Sequence, residues 1–249
     1  MSEIASGSSA SDQPPLSVVI PAHNEAHRIE RAIEGIRKDA TARGWHPELI
    51  VVDDGSTDTT AEVARRCGSA GGRLPLRVLS NPKRTGKASA VRRGVLEANG
   101  QLILLCDADM STPMSEFDKL LPWIHKGHQV VIASRDMPKT VLRPAQPWQR
   151  RLLGILFRSV RQQLLLPDLR DTQCGFKLFT HHAAHLLFGR LKETTLAFDC
   201  EILAMAHREG FRIKEVGVLW CDDPDSRIRP WRDGVAMLLA LWRIRRRLR

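Results

Sequence analysis

The run Leu102-Ile-Leu-Leu-Cys106 stops abruptly at Asp107-Ala-Asp109, and no other stretch of the chain restricts the fold as tightly. Gly100 precedes it and Pro113 follows, so it is too short to cross a membrane and reads as a strand buried on both faces. Its C-terminal end carries the two carboxylates. In an open α/β sheet that edge is where loops gather around a crevice. Alternate residues of an extended chain point the same way, so Asp107 and Asp109 can face one point while Ala108 keeps the neighbouring space open. Carboxylates placed like this raise each other's pKa unless a cation lies between them. A hard divalent ion that keeps several waters and is shared with a diphosphate satisfies the arrangement. A D-x-D alone is weaker evidence, because Asp109 or Ser111 could equally cap a helix starting near Pro113.

The same rhythm recurs along the first half. Residues 17–20 form a strand that ends at Pro21, and Ala22-His-Asn-Glu25 opens a helix to about residue 43, with Ile29, Ala32, Ile33 and Ile36 at helical spacing. Residues 49–52 repeat the strand and end in Asp53-Asp54-Gly55-Ser56, after which a helix begins at Asp58 or Thr59. Residues 76–79 lead through Asn81-Pro-Lys-Arg-Thr-Gly86-Lys87 into a helix that runs through Ala98. After the Asp107–Asp109 stretch come a helix over about 115–126 and a strand at 129–133 that ends at Ser134-Arg135. Strands alternating with helices in this way predict an α/β fold, with a doubly wound, mostly parallel central sheet and helices on both faces. Every polar motif then lies on one edge.

The second half predicts a basic amphipathic helix over 144–166 carrying Arg150, Arg151, Arg158 and Arg161, then the polar segment Asp171-Thr-Gln-Cys-Gly-Phe-Lys177. Helices follow over about 180–191 and from Ala197-Phe-Asp199-Cys-Glu201 to about 209, with a strand over 213–220. The expected organisation is a disordered lead-in at 1–15, one domain over 16–231, and a basic amphipathic C-terminal helix at 232–249.

Lys and Arg total 38 against 28 Asp and Glu, a net charge of +10, which favours acidic partners: nucleic acid, anionic lipid or phosphorylated substrates. The basic residues do not cluster with aromatics in a nucleic-acid-binding pattern, so nucleic acid is the weakest of the three. The five cysteines include no C-x-x-C pair, which argues for reduced thiols in a cytoplasm over a disulfide framework or zinc site. Residues 1–15 carry no Lys or Arg and do not read as a signal peptide. The apolar run 235–242 falls short of the roughly 20 residues a bilayer requires, so membrane contact is expected to be peripheral. Gly86-Lys87 is an anion-binding feature at a helix start but lacks P-loop spacing. No G-x-S-x-G or H-E-x-x-H occurs. His181 and His182 read as cap and surface.

Pro21-Ala-His-Asn-Glu25, Asp53-Asp54-Gly55-Ser56, Gly86-Lys87 and Asp107-Ala-Asp109, in that order, resemble the inverting nucleotide-sugar glycosyltransferases of GT-A fold. Asp171-Thr-Gln-Cys-Gly-Phe-Lys-Leu-Phe179 and Ala197-Phe-Asp-Cys-Glu-Ile-Leu203 extend the resemblance to the branch that moves glucose or mannose onto polyprenyl (dolichyl) phosphate. It covers about 17–231.

The resemblance implies that Pro21, Ala22, Asn24, Glu25, Asp53 and Asp54 line the nucleoside site, with Lys87 and Ala108 also on the donor. Asp107 and Asp109 would hold Mg²⁺ or Mn²⁺ and the sugar. Arg135, Arg150, Arg151, Gln173, Lys177 and Arg227 would hold the acceptor phosphate. Asp199 and Glu201 would orient acceptor or sugar, although an acidic helix start that complements the dipole is an equal reading. His23 departs from the family pattern, as does Ser226-Arg227, where Arg replaces Lys and Asp225 replaces Gly. The implied donor is UDP-glucose ahead of GDP-mannose, and the implied place is the cytoplasmic face of an anionic membrane; a homodimer is left open. Transfer to a saccharide or small-molecule hydroxyl is the alternative within the class, and nucleotidyl transfer is a third reading.

Overall fold

Alternation of side chains decides the layers. In the strands β1 (Leu16–Ala22), β2 (Glu48–Asp53), β3 (Leu76–Ser80) and β4 (Leu102–Leu105), neighbouring residues enter opposite cores. Val18, Ile20, Leu49, Val51, Leu102 and Leu104 pack on one face of the sheet. Val19, Ile50, Val52, Ile103 and Leu105 pack on the other. Both faces are therefore apolar, which is why these segments read as continuous aliphatic runs. Burying each such side chain contributes about 1.5–3 kcal/mol. The structure is a computed structural model that describes residues 15–69, 74–137, 141–143, 148–221 and 230–248; of residues 141–143, 148–153, 155, 156 and 230–233 it describes the backbone.

The remaining strands are β5 (Val130–Ser134), β6 (Val141–Arg143), β7 (Lys177–Thr180), β8 (Ile213–Gly217) and β9 (Leu219–Cys221). The main sheet has the order β3-β2-β1-β4-β7-β5-β8, and β6 pairs with β9 in a separate parallel ribbon. All pairings of the main sheet are parallel except those of β7, which runs antiparallel between β4 and β5. Sequence patterning did not resolve β7, because Lys177-Leu-Phe-Thr is short and opens on a charged residue. It also did not separate β8 from β9. The mostly parallel α/β sheet is as expected.

Helices α1 (Ile29–Ala42), α2 (Thr60–Ser69) and α4 (Phe117–His125) cover the first face; α3 (Lys87–Leu96), α6 (His181–Arg190) and α7 (Phe198–Arg208) cover the second. A third cluster forms where α8 (Pro230–Arg247) lies on α5 (Trp148–Leu164) and the start of α7. There Met237, Ala240, Leu241 and Ile244 meet Ala197, Cys200, Phe157 and Val160. The C-terminal helix is thus docked on the domain through one of its faces.

Helix α1 starts at Ile29, later than the sequence suggested. Asn24 takes a left-handed φ of 56°, and the backbone N–H groups of Asn24, Glu25 and Ala26 donate to Ser56 Oγ, Thr60 Oγ1 and Asp58 Oδ2. Side chains of the second motif and of the turn that follows it therefore hold the first motif in a series of turns. After β4 a 3₁₀ turn at Met114–Glu116 precedes α4. Of the lead-in expected at 1–15, residues 1–14 lie outside the described residues, as does Arg227.

Candidate active site

The tips of β2 and β3 are sewn together by carboxylates. Asp53 Oδ1 accepts the Ser56 N–H at 3.2 Å, and the Asp53 carbonyl accepts the Asn81 N–H at 2.8 Å. Asp54 Oδ1 accepts from Asn81 Nδ2 (2.9 Å), Thr85 N (2.8 Å) and Thr85 Oγ1 (2.6 Å), while Oδ2 accepts from Gly86 N (2.7 Å). Burial works against the charge of Asp54, but these donors outweigh it and hold the carboxyl below its usual range. A side chain spending both oxygens this way builds the wall of the site. Both Asp54 oxygens are thus turned to its own loop, which corrects the expectation that this side chain lines a nucleoside pocket. Gly55 is required here: its φ is 63°, and a Cβ would stand 2.4 Å from the Lys83 carbonyl carbon.

This loop delivers Lys87, the first residue of α3, to the tip of β4. Lys87 Nζ lies 2.6 Å from Asp107 Oδ1. The other side of the Asp107 carboxylate rests against Gly175, where a Cβ would come within 2.0 Å of Oδ2. Gly175 was not singled out from sequence. Its place in the polar Gln173-Cys-Gly-Phe176 segment is the kind of signal that marks close approach of a second backbone.

Asp109 Oδ1 accepts the Ser111 N–H at 2.9 Å, a local turn made possible by Met110 at φ 53°. Ala108 does not leave open space: it is 5% exposed and packs in the core. Its side chain faces away from the pair, so it is corrected as a donor-contacting side chain.

Burial disfavours charge on both carboxylates, and their environments then separate them. Lys87, with Lys177 and Arg135 farther away, holds Asp107 below the usual range. The charge on Asp107 adds to burial in pushing Asp109 up, against the Ser111 hydrogen bonds and Lys87. Among the described residues no three His, Cys, Asp or Glu side chains converge as a ready-made metal cage. Two adjacent hard oxygen donors with an excess of negative charge fit a Mg²⁺- or Mn²⁺-type ion whose remaining positions are filled by water and phosphate.

Across the crevice the ion pairs are long-range. Arg135, at the end of β5, donates from Nε and Nη2 to Asp171 at 2.7 and 2.9 Å, and its backbone N–H adds a third bond at 3.0 Å. Its guanidinium carbon lies 5.5 Å from the centre of the Trp220 ring. Burial opposes charge on Asp171, yet Arg135 and the Gln173 N–H hold it far below the usual range. Glu215 accepts the backbone N–H groups of Arg170 and Asp171, fixing the segment from below. Gln173 reaches α8, its Nε2 lying 3.8 Å from Met237 Sδ.

Lys177 and Asp199 form a buried pair at 2.7 Å, with the ammonium also donating to the Cys174 carbonyl. Asp199 is raised by burial in spite of Lys177 and Lys87, and it also senses Asp107. It therefore borders the Asp107 site. Lys177 is only 2% exposed at its side chain and is a post for Asp199, which corrects its expected place as a direct phosphate ligand.

Glu201, grouped with Asp199 from sequence, points elsewhere. It accepts the N–H groups of Lys192 and Glu193 and pairs with Arg247 of α8 at 2.9 Å. One turn of α7 thus sends Asp199 to the crevice and Glu201 to the C-terminal helix, and the catalytic expectation for Glu201 is corrected accordingly. The side chains of Arg150 and Arg151 lie outside the described residues, as does Arg227.

A sheet of this order with acidic strand tips around one crevice is the GT-A fold of glycosyltransferases. Glucosyl-3-phosphoglycerate synthase from Mycobacterium tuberculosis, solved with Mn²⁺, UDP-glucose and phosphoglyceric acid, superposes with a TM-score of 0.69 at 21% identity, covering 93% of this chain and 79% of that one. The mannosyltransferase PcManGT from Pyrobaculum calidifontis, in complex with GDP-Man and Mn²⁺, gives 0.61 at 21% identity over 92% and 63%.

The chain belongs to glycosyl transferase family 2, whose signature matches residues 17–188, and it is a glycosyltransferase. It is 32% identical over 240 residues to the dolichyl-phosphate beta-glucosyltransferase of Dictyostelium discoideum, covering 92% of this chain and 73% of that one. The human protein of the same name is 34% identical over 230 residues, covering 87% and 70%. Glycosyltransferase AglD of Haloferax volcanii is 31% identical over 235 residues, covering 91% and 37%.

Proposed function

We propose that this glycosyltransferase moves glucose from UDP-glucose to a polyprenyl phosphate of the dolichyl type, with inversion at the anomeric carbon. The observation that carries the reading is the Asp107–Asp109 pair at the tip of β4, facing Lys87 on one side and Asp199 with Lys177 on the other, in a chain whose relatives act on dolichyl phosphate by name. Pro21, Ala22, Asn24, Glu25 and Asp53 line the nucleoside end. Lys87 meets the diphosphate. Asp107 and Asp109 hold Mg²⁺ or Mn²⁺, which when bound supplies stabilisation of the charge that builds on the leaving diphosphate.

Arg135, held flat by Asp171, faces the acceptor phosphate. A phosphate monoester has its second pKa near ~6 and is already largely dianionic at neutral pH, so it attacks without a strong general base. Asp199 then has a positioning task, its carboxylate held by Lys177.

The surface of α8 supports a membrane-bound acceptor. Val235, Leu239 and Trp242, spaced along one face, are 57, 58 and 58% exposed, and Arg246 stacks over Trp242 at 5.7 Å. The opposite face is the one buried on α5 and α7. An apolar stripe beside arginines suits the interface of an anionic bilayer at the cytoplasmic side. Among the described residues no helix is long and apolar enough to cross a membrane.

The test is transfer of labelled glucose from UDP-glucose into an organic-extractable phospholipid with Mn²⁺ and polyprenyl phosphate. The expected result is lipid-linked glucose and release of UDP, reduced at least about a hundredfold in Asp109→Ala. Glucose recovered only on soluble saccharide, or release of pyrophosphate, would overturn the assignment. Trp242→Ala should weaken sedimentation with anionic vesicles and leave UDP binding unchanged.

A further inference from the structure

The metal-binding pair and its nearest cation stand in an unusual relation. Asp107 Oδ1 is in direct contact with the Lys87 ammonium at 2.6 Å, and Gly175 packs closely on the same carboxylate, so the partly exposed group that would hold a metal ion already has a cation against it. The backbone leading into Lys87 is held by a carboxylate. Lys87 follows Gly86, whose N–H is fixed by Asp54, and Asp54 also holds Thr85 and Asn81. The backbone that carries Lys87 is thus anchored beside Asp107.

Charge counting points the same way. Asp107, Asp109 and Asp199 face Lys87 and Lys177, which leaves one net negative charge, while Arg135 and Asp171 neutralise each other. A divalent cation entering alone would leave this crevice net positive with Lys87 still against it. Entry together with a diphosphate restores the balance, because the diphosphate offers Lys87 another anion.

We infer that Lys87 is an internal counter-ion that occupies the Asp107 carboxylate until a nucleoside diphosphate draws it away, so that the donor binds ahead of the metal. The inference rests on the proposed metal role of Asp107 and Asp109. Ion binding by this chain is then conditional: the diphosphate takes the Lys87 ammonium, the freed Asp107 oxygen completes the pair with Asp109, and the cation is gripped by both. Lys87 thus sets the order of assembly in addition to any hold on the diphosphate.

Titration of Mn²⁺, followed by the electron paramagnetic resonance signal of the free ion, tests this without turnover. Wild-type protein is expected to bind Mn²⁺ at least about tenfold more tightly with saturating UDP than without it. Lys87→Met, and independently Lys87→Gln, should tighten binding of Mn²⁺ alone on the order of tenfold while weakening binding of UDP alone. Lys87→Arg, which keeps the charge, should stay close to wild type. Arg84→Gln, which removes an exposed charge from the same loop, should change Mn²⁺ binding less than twofold.

If the neutral variants bind Mn²⁺ alone no better than wild type, Lys87 is only a diphosphate ligand and the inference fails while the metal site stands. If wild-type protein binds Mn²⁺ equally well with and without UDP, it fails too. If no Mn²⁺ is bound under any of these conditions, the metal site itself falls and takes the inference with it. Calorimetry on wild-type protein gives a check independent of any variant: UDP without metal should give measurable heat, and Mn²⁺ without UDP should not.

Discussion

The two sides of the crevice are held together differently. On the proposed donor side, from β1 to β4, the polar contacts are made within and between loops, largely to backbone groups, each motif closing on the next: Asn24 on Ser56, Asp53 on Asn81, Asp54 on Thr85 and Gly86. On the proposed acceptor side the work is done by buried charged side chains brought from far apart, Arg135 with Asp171 and Lys177 with Asp199, while the clamp of Glu193 and Glu201 on Arg243 and Arg247 is a separate, more exposed set. Hydrogen-bonded loops preorganise a surface for one ligand shape. Buried ion pairs instead concentrate risk, since loss of one partner strands the other.

Breaking the acceptor side should therefore cost most. Arg135→Ala leaves Asp171 buried at 3% side-chain exposure without its cation. A loss of about 3–5 kcal/mol is expected. That corresponds to a fall of roughly 6–20 °C in Tm by calorimetry. The pH dependence changes as well. With Arg135 present, the folded pKa of Asp171 lies below its unfolded value, so its stabilisation is complete above about pH 4 and is lost only as pH falls through the depressed value. Without Arg135 that contribution disappears at neutral pH, and acid unfolding should begin at higher pH.

A disruption on the donor side should be smaller and should show itself in binding. Asp54→Asn presents an amide N–H₂ to either Gly86 N–H or the Thr85 donors, so at least one of them loses its acceptor. About 1.5–3 kcal/mol of stability is expected to go. Displacement of the Asn81–Lys87 loop should raise the donor KM by roughly tenfold with kcat less affected. Equal loss in both parameters would mean that Asp54 acts beyond shaping the loop.

The smallest effect is expected at the C-terminal clamp. Arg247 bridges Glu193 and Glu201, but Glu201 keeps two backbone donors and Glu193 keeps Arg243. Arg247→Ala, with a side chain 30% exposed in the native protein, should lower stability by only about 1 kcal/mol in urea unfolding. A much larger loss would place α8 among the elements on which the whole domain depends.

The same contrast explains what could be read from sequence. The parallel strands and their acidic tips were legible because each is a local pattern: an aliphatic run, then Asp and Gly. Even there, the later start of α1 was hidden, since it depends on Ser56, Asp58 and Thr60 reaching back to residues 24–26. Strand β7 was missed because its opening Lys177 is buried only by virtue of Asp199, a partner 22 residues away. Glu201 looked like Asp199 from its place at a helix start. Its actual partner, Arg247, is 46 residues further on, and nothing local signals that contact. Gly175 left a trace in its segment, but what it approaches, Asp107, is set by the antiparallel return of β7 beside β4.

The most direct measurement is the anomalous scattering of Mn²⁺ in crystals grown with UDP-glucose. One manganese peak is expected between the side chains of Asp107 and Asp109 and the two phosphates, with Lys87 moved from Asp107 onto a phosphate oxygen. A peak elsewhere, or an ordered nucleotide with both carboxylates turned away from any ion, would contradict the account.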